Sequence, residues 1–285
     1  MLKLALFSAK QYDRSYFGAI NKDFGHKIKY YEANLNADTA HLSKGYDAVC
    51  PFVNDTIDAA VIDILAANGV GLIALRSAGF NHVDLDHAHK KGLRIMRVPA
   101  YSPYAVAEHT LALILTLNRK THKAYNRVRD GNFSLDRLVG FDLHGKTVGI
   151  IGTGKIGRVF AQLIKGFGTR ILAYDKYPSD EALAIGVEYV GFDELLSHSD
   201  IVSLHCPLTP ETHQIINKKS LEKMKTGAML INTSRGKLIN SEDVQAALKS
   251  QKLGYLGIDV YSQEEKLFFE DLSEMVIEED RKSTR

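Results

Sequence analysis

The sequence predicts an α/β protein built from two doubly wound parallel-sheet domains. Three observations carry that prediction. Short apolar runs alternate with amphipathic stretches along the chain, as strands joined by crossover helices do. The 285 residues are about twice the length of a common domain. A single stretch, Thr147–Asp175, reads as strand, glycine turn, helix and strand, and nothing in residues 1–100 matches it. The expected boundary therefore divides residues 1–100 from residues 101–285.

In the first set, Lys3–Phe7, Lys27–Tyr31, Ala48–Phe52, Leu72–Leu75 and Leu93–Val98 read as strands. Tyr12–Ile20 and Ile57–Ala67 read as helices, the second closed by Asn68-Gly69, and Asp38–Leu42 as a short helix. This set, without a glycine fingerprint, is the candidate substrate lid. Pro99 and Pro103 mark its exit. Tyr104–Arg119 is apolar nearly all round and predicts a helix buried between domains, between subunits or within the chain. Arg119–Arg129 is basic and reads as its solvated continuation, and Gly131–Gly145 as a loop. The second set holds strands at Val148–Ile151, Ile171–Tyr174, Glu188–Val190, Ile201–Leu204, Met229–Ile231 and Tyr255–Ile258. Helices are expected after the glycine turn, near Phe192–Leu196, around Lys218–Met224 and from Ser241, which has Glu242 and Asp243 in its first turn.

Composition excludes several classes. Thirty-six basic residues against 34 acidic ones give a net charge of +2, with no basic block for nucleic acid. The longest apolar stretch, Leu111–Leu117, is far short of the ~20 residues of a membrane span. Cys50 and Cys206 lack a paired spacing and read as free thiols of a cytoplasmic protein. The 11 histidines are scattered and predict no metal centre.

The glycine turn carries the first functional reading. Gly152 allows a tight bend, Gly154 lets backbone approach a pyrophosphate, and Gly157 lets helix pack on strand. The helix start offers unpaired N–H groups to phosphate. Asp175 ends the second strand, where a carboxylate accepts from an adenosine ribose and repels a 2′-phosphate. The pattern predicts NAD rather than NADP. In such sheets ligands lie at the carboxyl ends of strands. His205-Cys206-Pro207, Asn232-Thr233-Ser234-Arg235, Asp259 and Arg76-Ser77-Ala78-Gly79 follow strands in this way. Arg235 either binds a 2-oxo acid carboxylate through two parallel hydrogen bonds or pairs with a nearby acid. Glu264 either orients a histidine or is a solvated glutamate. His205 stands near a nicotinamide or is a satisfied core histidine. Asp259 either accepts from the carboxamide or caps a turn.

SAGFNHVDLD (Ser77–Asp86), RVPAYSPYAVAEH (Arg97–His109), GTGKIG (Gly152–Gly157), LHCPLT (Leu204–Thr209), INTSRG (Ile231–Gly236) and GIDVY (Gly257–Tyr261) together resemble the D-isomer-specific 2-hydroxyacid dehydrogenases, most of all the fermentative D-lactate dehydrogenases. The resemblance implies a flavodoxin-like substrate domain and a Rossmann NAD-binding domain. It gives Arg235 the substrate carboxylate, with the backbone of Ala78 and Gly79, and places Tyr101 in the pocket. Glu264 would support the catalytic histidine. Lys155 and Ile156 would meet the pyrophosphate and Asp175 the ribose. Cys206, Pro207 and Thr212 would line the cofactor cleft, and Thr233, Ser234 and Asp259 the nicotinamide end. The implied reaction is hydride transfer between NADH and pyruvate, giving D-lactate, in a homodimer. A dehydrogenase for a larger 2-oxo acid and a non-catalytic NAD-binding relative stay open. The family's acid/base histidine follows Glu264 by roughly thirty residues in a GHQAFLT-like run, whereas this sequence has no histidine after His213. The resemblance therefore implies that the C-terminal part of the nucleotide domain is missing and activity is impaired.

Overall fold

The structure is a computed structural model and describes residues 1–80, 82–99 and 102–261. They fall into two compact units that divide between Tyr101 and Ser102.

In the first unit, β1 (Lys3–Leu6), α1 (Gln11–Ile20), β2 (Lys27–Tyr30), β3 (Ala48–Cys50), α2 (Ala59–Ala67), β4 (Leu72–Leu75), α3 (Leu85–Lys90) and β5 (Arg94–Arg97) form a five-stranded sheet. The order is β2-β1-β3-β4-β5 and every pairing is parallel. The order reverses between β1 and β3, so a crevice opens at their carboxyl ends. Phe7, Val49, Ile62, Leu65 and Ile73 fill the core beneath it. Arg76, just past β4, fastens this edge. Its Nη1 donates to the Cys50 carbonyl at 3.1 Å and its Nη2 to the Ser8 carbonyl at 2.8 Å. Its Nε lies 3.3 Å from the buried Asp13 carboxylate of α1, and its guanidinium stacks 4.7 Å from the Phe52 ring centre. Asp58 caps α2 by accepting from the Val61 N–H.

In the second unit, α4 (Pro103–Arg119) and α5 (Thr121–Arg129) precede β6 (Thr147–Ile151), α6 (Lys155–Lys165), β7 (Arg170–Tyr174), α7 (Asp180–Ile185), β8 (Glu188–Tyr189), α8 (Phe192–His198), β9 (Ile201–Leu204), α9 (Lys218–Lys223), β10 (Ala228–Asn232), α10 (Ser241–Lys249) and β11 (Leu253–Ile258). The six strands lie in the order β11-β10-β9-β6-β7-β8, all parallel. β9 and β10 are buried at every position, so they read as mostly apolar runs, broken only by Ser203 and Asn232 near their carboxyl ends, rather than as alternating ones.

Several elements differ from the sequence expectation. The turn near residue 40 is a 3-10 turn, Ala40–Ser43, held by the Asn36 side chain, which accepts from the Asp38 and Thr39 N–H groups. α5 does not continue α4, because Lys120 adopts a left-handed φ of 51° and breaks the helix. α3 and α7 were not expected. At six residues each they are too short to show an apolar period, although Asp84 and Ser179 cap them. α4 buries Ala107, Thr110, Ile114 and Asn118 within its own unit, packing on α6, β10 and β11.

Among the described residues no helix is long and apolar enough to cross a membrane, and no group of three or more His, Cys, Asp or Glu is placed to hold a metal.

Candidate functional site

β6 runs straight into the glycine turn. Gly152 has a φ of 98°, a region that an L side chain rarely adopts. A Cβ on it would lie 2.6 Å from the Cys206 nitrogen and 2.7 Å from the His205 carbonyl carbon. The chain leaving β9 passes directly under the bend. A methyl on Gly157 would run into the Gly152 carbonyl oxygen, so α6 is drawn against its own entry turn. Gly154 differs from both. Its φ of −61° is ordinary, and no heavy atom lies within 4 Å of the Cβ position. Space is therefore kept at the start of α6, where the N–H groups of Gly154, Lys155 and Ile156 have no acceptor among the described residues. Unpaired donors, a helix dipole and an open backbone approach fit a pyrophosphate.

Asp175 stands one residue past β7. Its Oδ2 accepts from the Thr153 N–H at 2.6 Å and from the Thr153 hydroxyl at 3.0 Å, and its Oδ1 from the Tyr177 N–H at 2.9 Å. Fixed at the edge of the turn, it suits an adenosine ribose. The residues present thus fit a dinucleotide at both its phosphates and its ribose.

His205 is sunk beneath this turn. Its Nε2 lies 2.9 Å from the Ser203 hydroxyl, its Nδ1 is buried without a partner, and its ring packs 5.0 Å from that of Phe160. Burial pushes its pKa down to about 3. The ring is a neutral part of the floor, a core histidine with one nitrogen left unpartnered rather than a fully satisfied one. The sign follows directly. Unfolded, the imidazole takes a proton near its ordinary value of about 6.5, while folded it does not until about 3. Acid therefore favours the unfolded chain in between, by about 1.4 kcal/mol per pH unit. Urea unfolding should show stability falling by about 2 kcal/mol from pH 6.5 to pH 5, and His205→Gln should flatten that slope. Cys206, beside it, is buried, and burial raises its thiol to about 11, so it is inert. Pro207 accepts from the Thr212 hydroxyl at 2.6 Å, which closes the loop after β9.

The loop after β10 is organised by Asn232, which is fully buried. Its side chain donates to the Arg235 carbonyl at 2.9 Å and accepts from the Ser234 N–H at 3.0 Å. The Ser234 hydroxyl donates to the Leu204 carbonyl at 2.9 Å. Arg235 is exposed, and its Nη1 donates to the neighbouring Ser234 carbonyl at 2.7 Å. Among the described residues no carboxylate pairs with it, so most of the guanidinium fork is open.

Thr233 and Asp259 meet α4, a contact that sequence reasoning missed. The Thr110 and Thr233 hydroxyls lie 2.9 Å apart, and Thr110 also donates to the Val106 carbonyl at 2.8 Å. With its one proton so used, Thr110 accepts from Thr233. His109 Nε2 lies 3.3 Å from Asp259 Oδ1. The available signal was the polar run Glu108-His109-Thr110 inside a mostly apolar helix.

In the first unit, Ser77 is buried and its hydroxyl donates to the Gly79 carbonyl at 2.8 Å. The N–H groups of Ala78 and Gly79 have no acceptor among the described residues, as an anion-binding turn requires. Tyr101 and Glu264 lie outside the described residues.

Comparison with known proteins agrees with this geometry. Residues 111–277 match the family model described as D-isomer specific 2-hydroxyacid dehydrogenase, NAD binding domain. The chain is 53% identical over 279 residues to D-lactate dehydrogenase of Escherichia coli, covering 98% of this chain and 85% of that one. It is similar to the solved pyruvate reductase of Chlamydomonas reinhardtii, with a TM-score of 0.91 and 48% identity over all of this chain and 84% of the other. The Aquifex aeolicus D-lactate dehydrogenase, solved with NAD and lactic acid, gives a TM-score of 0.81 and 35% identity over 96% of this chain and 81% of the other. With its glycine turn shaped for NAD and its two parallel sheets, the chain belongs to the D-isomer-specific 2-hydroxyacid dehydrogenases, a family of NAD-dependent oxidoreductases.

Proposed function

We propose that the chain interconverts pyruvate and D-lactate. The observation that carries this reading is the open guanidinium of Arg235, on the same carboxyl edge of the sheet as the glycine turn. When bound, NADH supplies a hydride to C2 while a proton adds to the keto oxygen, so pyruvate becomes D-lactate and NAD⁺ is left. Arg235 holds the carboxylate by two parallel hydrogen bonds, and its charge polarises the ketone. Ala78 and Gly79 offer backbone donors to an anion. Lys155 and Ile156 offer theirs to the pyrophosphate, and Asp175 accepts from the ribose. Cys206, Pro207 and Thr212 shape the loop after β9 on the cofactor side. Thr233, Ser234 and Asp259 serve the nicotinamide end, and Tyr101 and Glu264 keep the roles that the resemblance gives them. The names of the relatives support pyruvate and lactate as substrates. Five exposed apolar side chains, Tyr125, Val128, Phe133, Leu135 and Val139, support a homodimer, and the two buried thiols suit a reducing cytoplasm.

The test pairs NADH titration with NADH oxidation in the presence of pyruvate or phenylpyruvate. The expected result is NADH binding that Asp175→Ala weakens about tenfold or more, with oxidation that prefers pyruvate. NADH binding that is indifferent to Asp175→Ala would overturn the ribose assignment. A clear preference for phenylpyruvate would move the substrate to a larger 2-oxo acid.

A further inference from the structure

The carboxylate of Asp175 is not simply placed at the strand end. It is held by a chain of side chains that no functional role above uses. The Ser179 N–H donates to the Tyr189 hydroxyl at 2.9 Å, which donates to the Thr153 hydroxyl at 2.7 Å, which donates to Asp175 Oδ2 at 3.0 Å. Each hydroxyl gives its single proton in one direction, so the order of donation is fixed. Thr153 is buried and stands between Gly152 and Gly154, at a position whose residue the fingerprint leaves unspecified. A second route returns to it. Arg158 of α6 donates to the Thr153 carbonyl at 3.1 Å and lies 3.9 Å from Glu181, whose carboxylate accepts from the Ser179 hydroxyl at 2.6 Å. Thr153, Tyr189, Ser179, Glu181 and Arg158 thus close a ring around one corner of the glycine turn.

The consequence for Asp175 follows from its lone pairs. A carboxylate oxygen offers about two acceptor positions. Oδ2 has both taken by Thr153, whereas Oδ1 receives only the Tyr177 N–H. We propose that Tyr189 and Thr153 are positioning residues for cofactor selectivity: they saturate Oδ2 and lock the carboxylate so that Oδ1 alone is turned to the ribose hydroxyls, where its charge also opposes a 2′-phosphate. This rests on the reading of Asp175 as the ribose acceptor. Without the Tyr189 hydroxyl, Thr153 loses the donor that sets its rotamer. The carboxylate then keeps only the Thr153 and Tyr177 N–H bonds and turns more easily away from a 2′-phosphate.

The experiment measures NADH and NADPH binding by nucleotide fluorescence on the full chain, with thermal melting of each variant. This chain has no tryptophan to interfere. Tyr189→Phe should weaken NADH by about three- to tenfold, the scale of one hydrogen bond, and lower the NADPH-to-NADH ratio of dissociation constants. Thr153→Val should do the same, Thr153→Ser should stay near the unsubstituted chain, and Tyr189→Phe with Thr153→Val should do no more than either alone. A ratio unchanged by both Tyr189→Phe and Thr153→Val, while Asp175→Ala lowers it, would overturn the proposal and leave the ribose site standing. A ratio unchanged by Asp175→Ala would overturn both. Should Tyr189→Phe melt early, Thr153→Val against Thr153→Ser decides the matter, because the serine keeps the hydroxyl that selectivity needs.

Discussion

Gly152→Ala is expected to cost the second unit its stability and its nucleotide together. The new methyl would sit 2.6 Å from the Cys206 nitrogen, on a residue with a φ of 98°. Backbone strain and overpacking are each worth about 1–3 kcal/mol. Relief would require the chain leaving β9 to move, and that chain is bonded to β6 through His205, whose N–H donates to the Ile151 carbonyl at 2.7 Å. Melting should drop by roughly 5–15 °C, with NADH binding no longer measurable. Gly157→Ala should behave alike, since its methyl meets the Gly152 carbonyl. Gly154→Ala separates the two effects. Nothing in the protein occupies its Cβ position, so melting should be unchanged, while NADH weakens by about 10- to 100-fold as the methyl takes the space of the pyrophosphate. Differential scanning fluorimetry and nucleotide titration on the three variants check this. Equal loss of stability in all three would refute the assignment of Gly154 to ligand rather than to fold.

Arg235→Gln is the second large effect. The guanidinium is exposed, and its one bond among the described residues is to the adjacent carbonyl. Its removal should leave melting within about 1–2 °C, as for other surface changes of about 0.5 kcal/mol. Removing one partner of a desolvated, hydrogen-bonded charge pair costs about 2–5 kcal/mol. The kcat/KM for pyruvate should therefore fall by about 10²-fold or more, with NADH affinity within about threefold. Arg235→Lys should recover only part of the loss, because a lysine cannot form the paired bonds. Steady-state NADH oxidation at high protein concentration reads the rate. A fall in melting temperature with an unchanged rate would return Arg235 to a structural role.

The sequence made the strands legible because both sheet faces are covered. β9 and β10 are buried at every position, and their polar residues, Ser203 and Asn232, fall at or next to their carboxyl ends. The glycine turn was legible because its chemistry is local: three glycines and an acid within one strand-helix-strand unit. Helices α3 and α7 were not, since six residues make under two turns and cap residues alone do not announce a helix. Contacts across the chain were beyond reach. Thr110 meets Thr233 across 123 positions, and His109 meets Asp259 at the far end of the sheet. Both pairs require knowing that α4 lies on β10 and β11. The role of Thr153 was hidden for another reason: in a glycine fingerprint the intervening residues look interchangeable, and only the structure shows a hydroxyl turned to Asp175.

Arg76 has a consequence for anyone redesigning the first unit. One side chain joins Ser8, Cys50 and Asp13 and supports the ring of Phe52. Engineers who vary Phe52 to reshape that rim would also strip the lid from a buried cation. Libraries at position 52 should therefore keep an aromatic or be screened together with changes at Asp13, because these positions inherit each other's tolerance through a shared guanidinium.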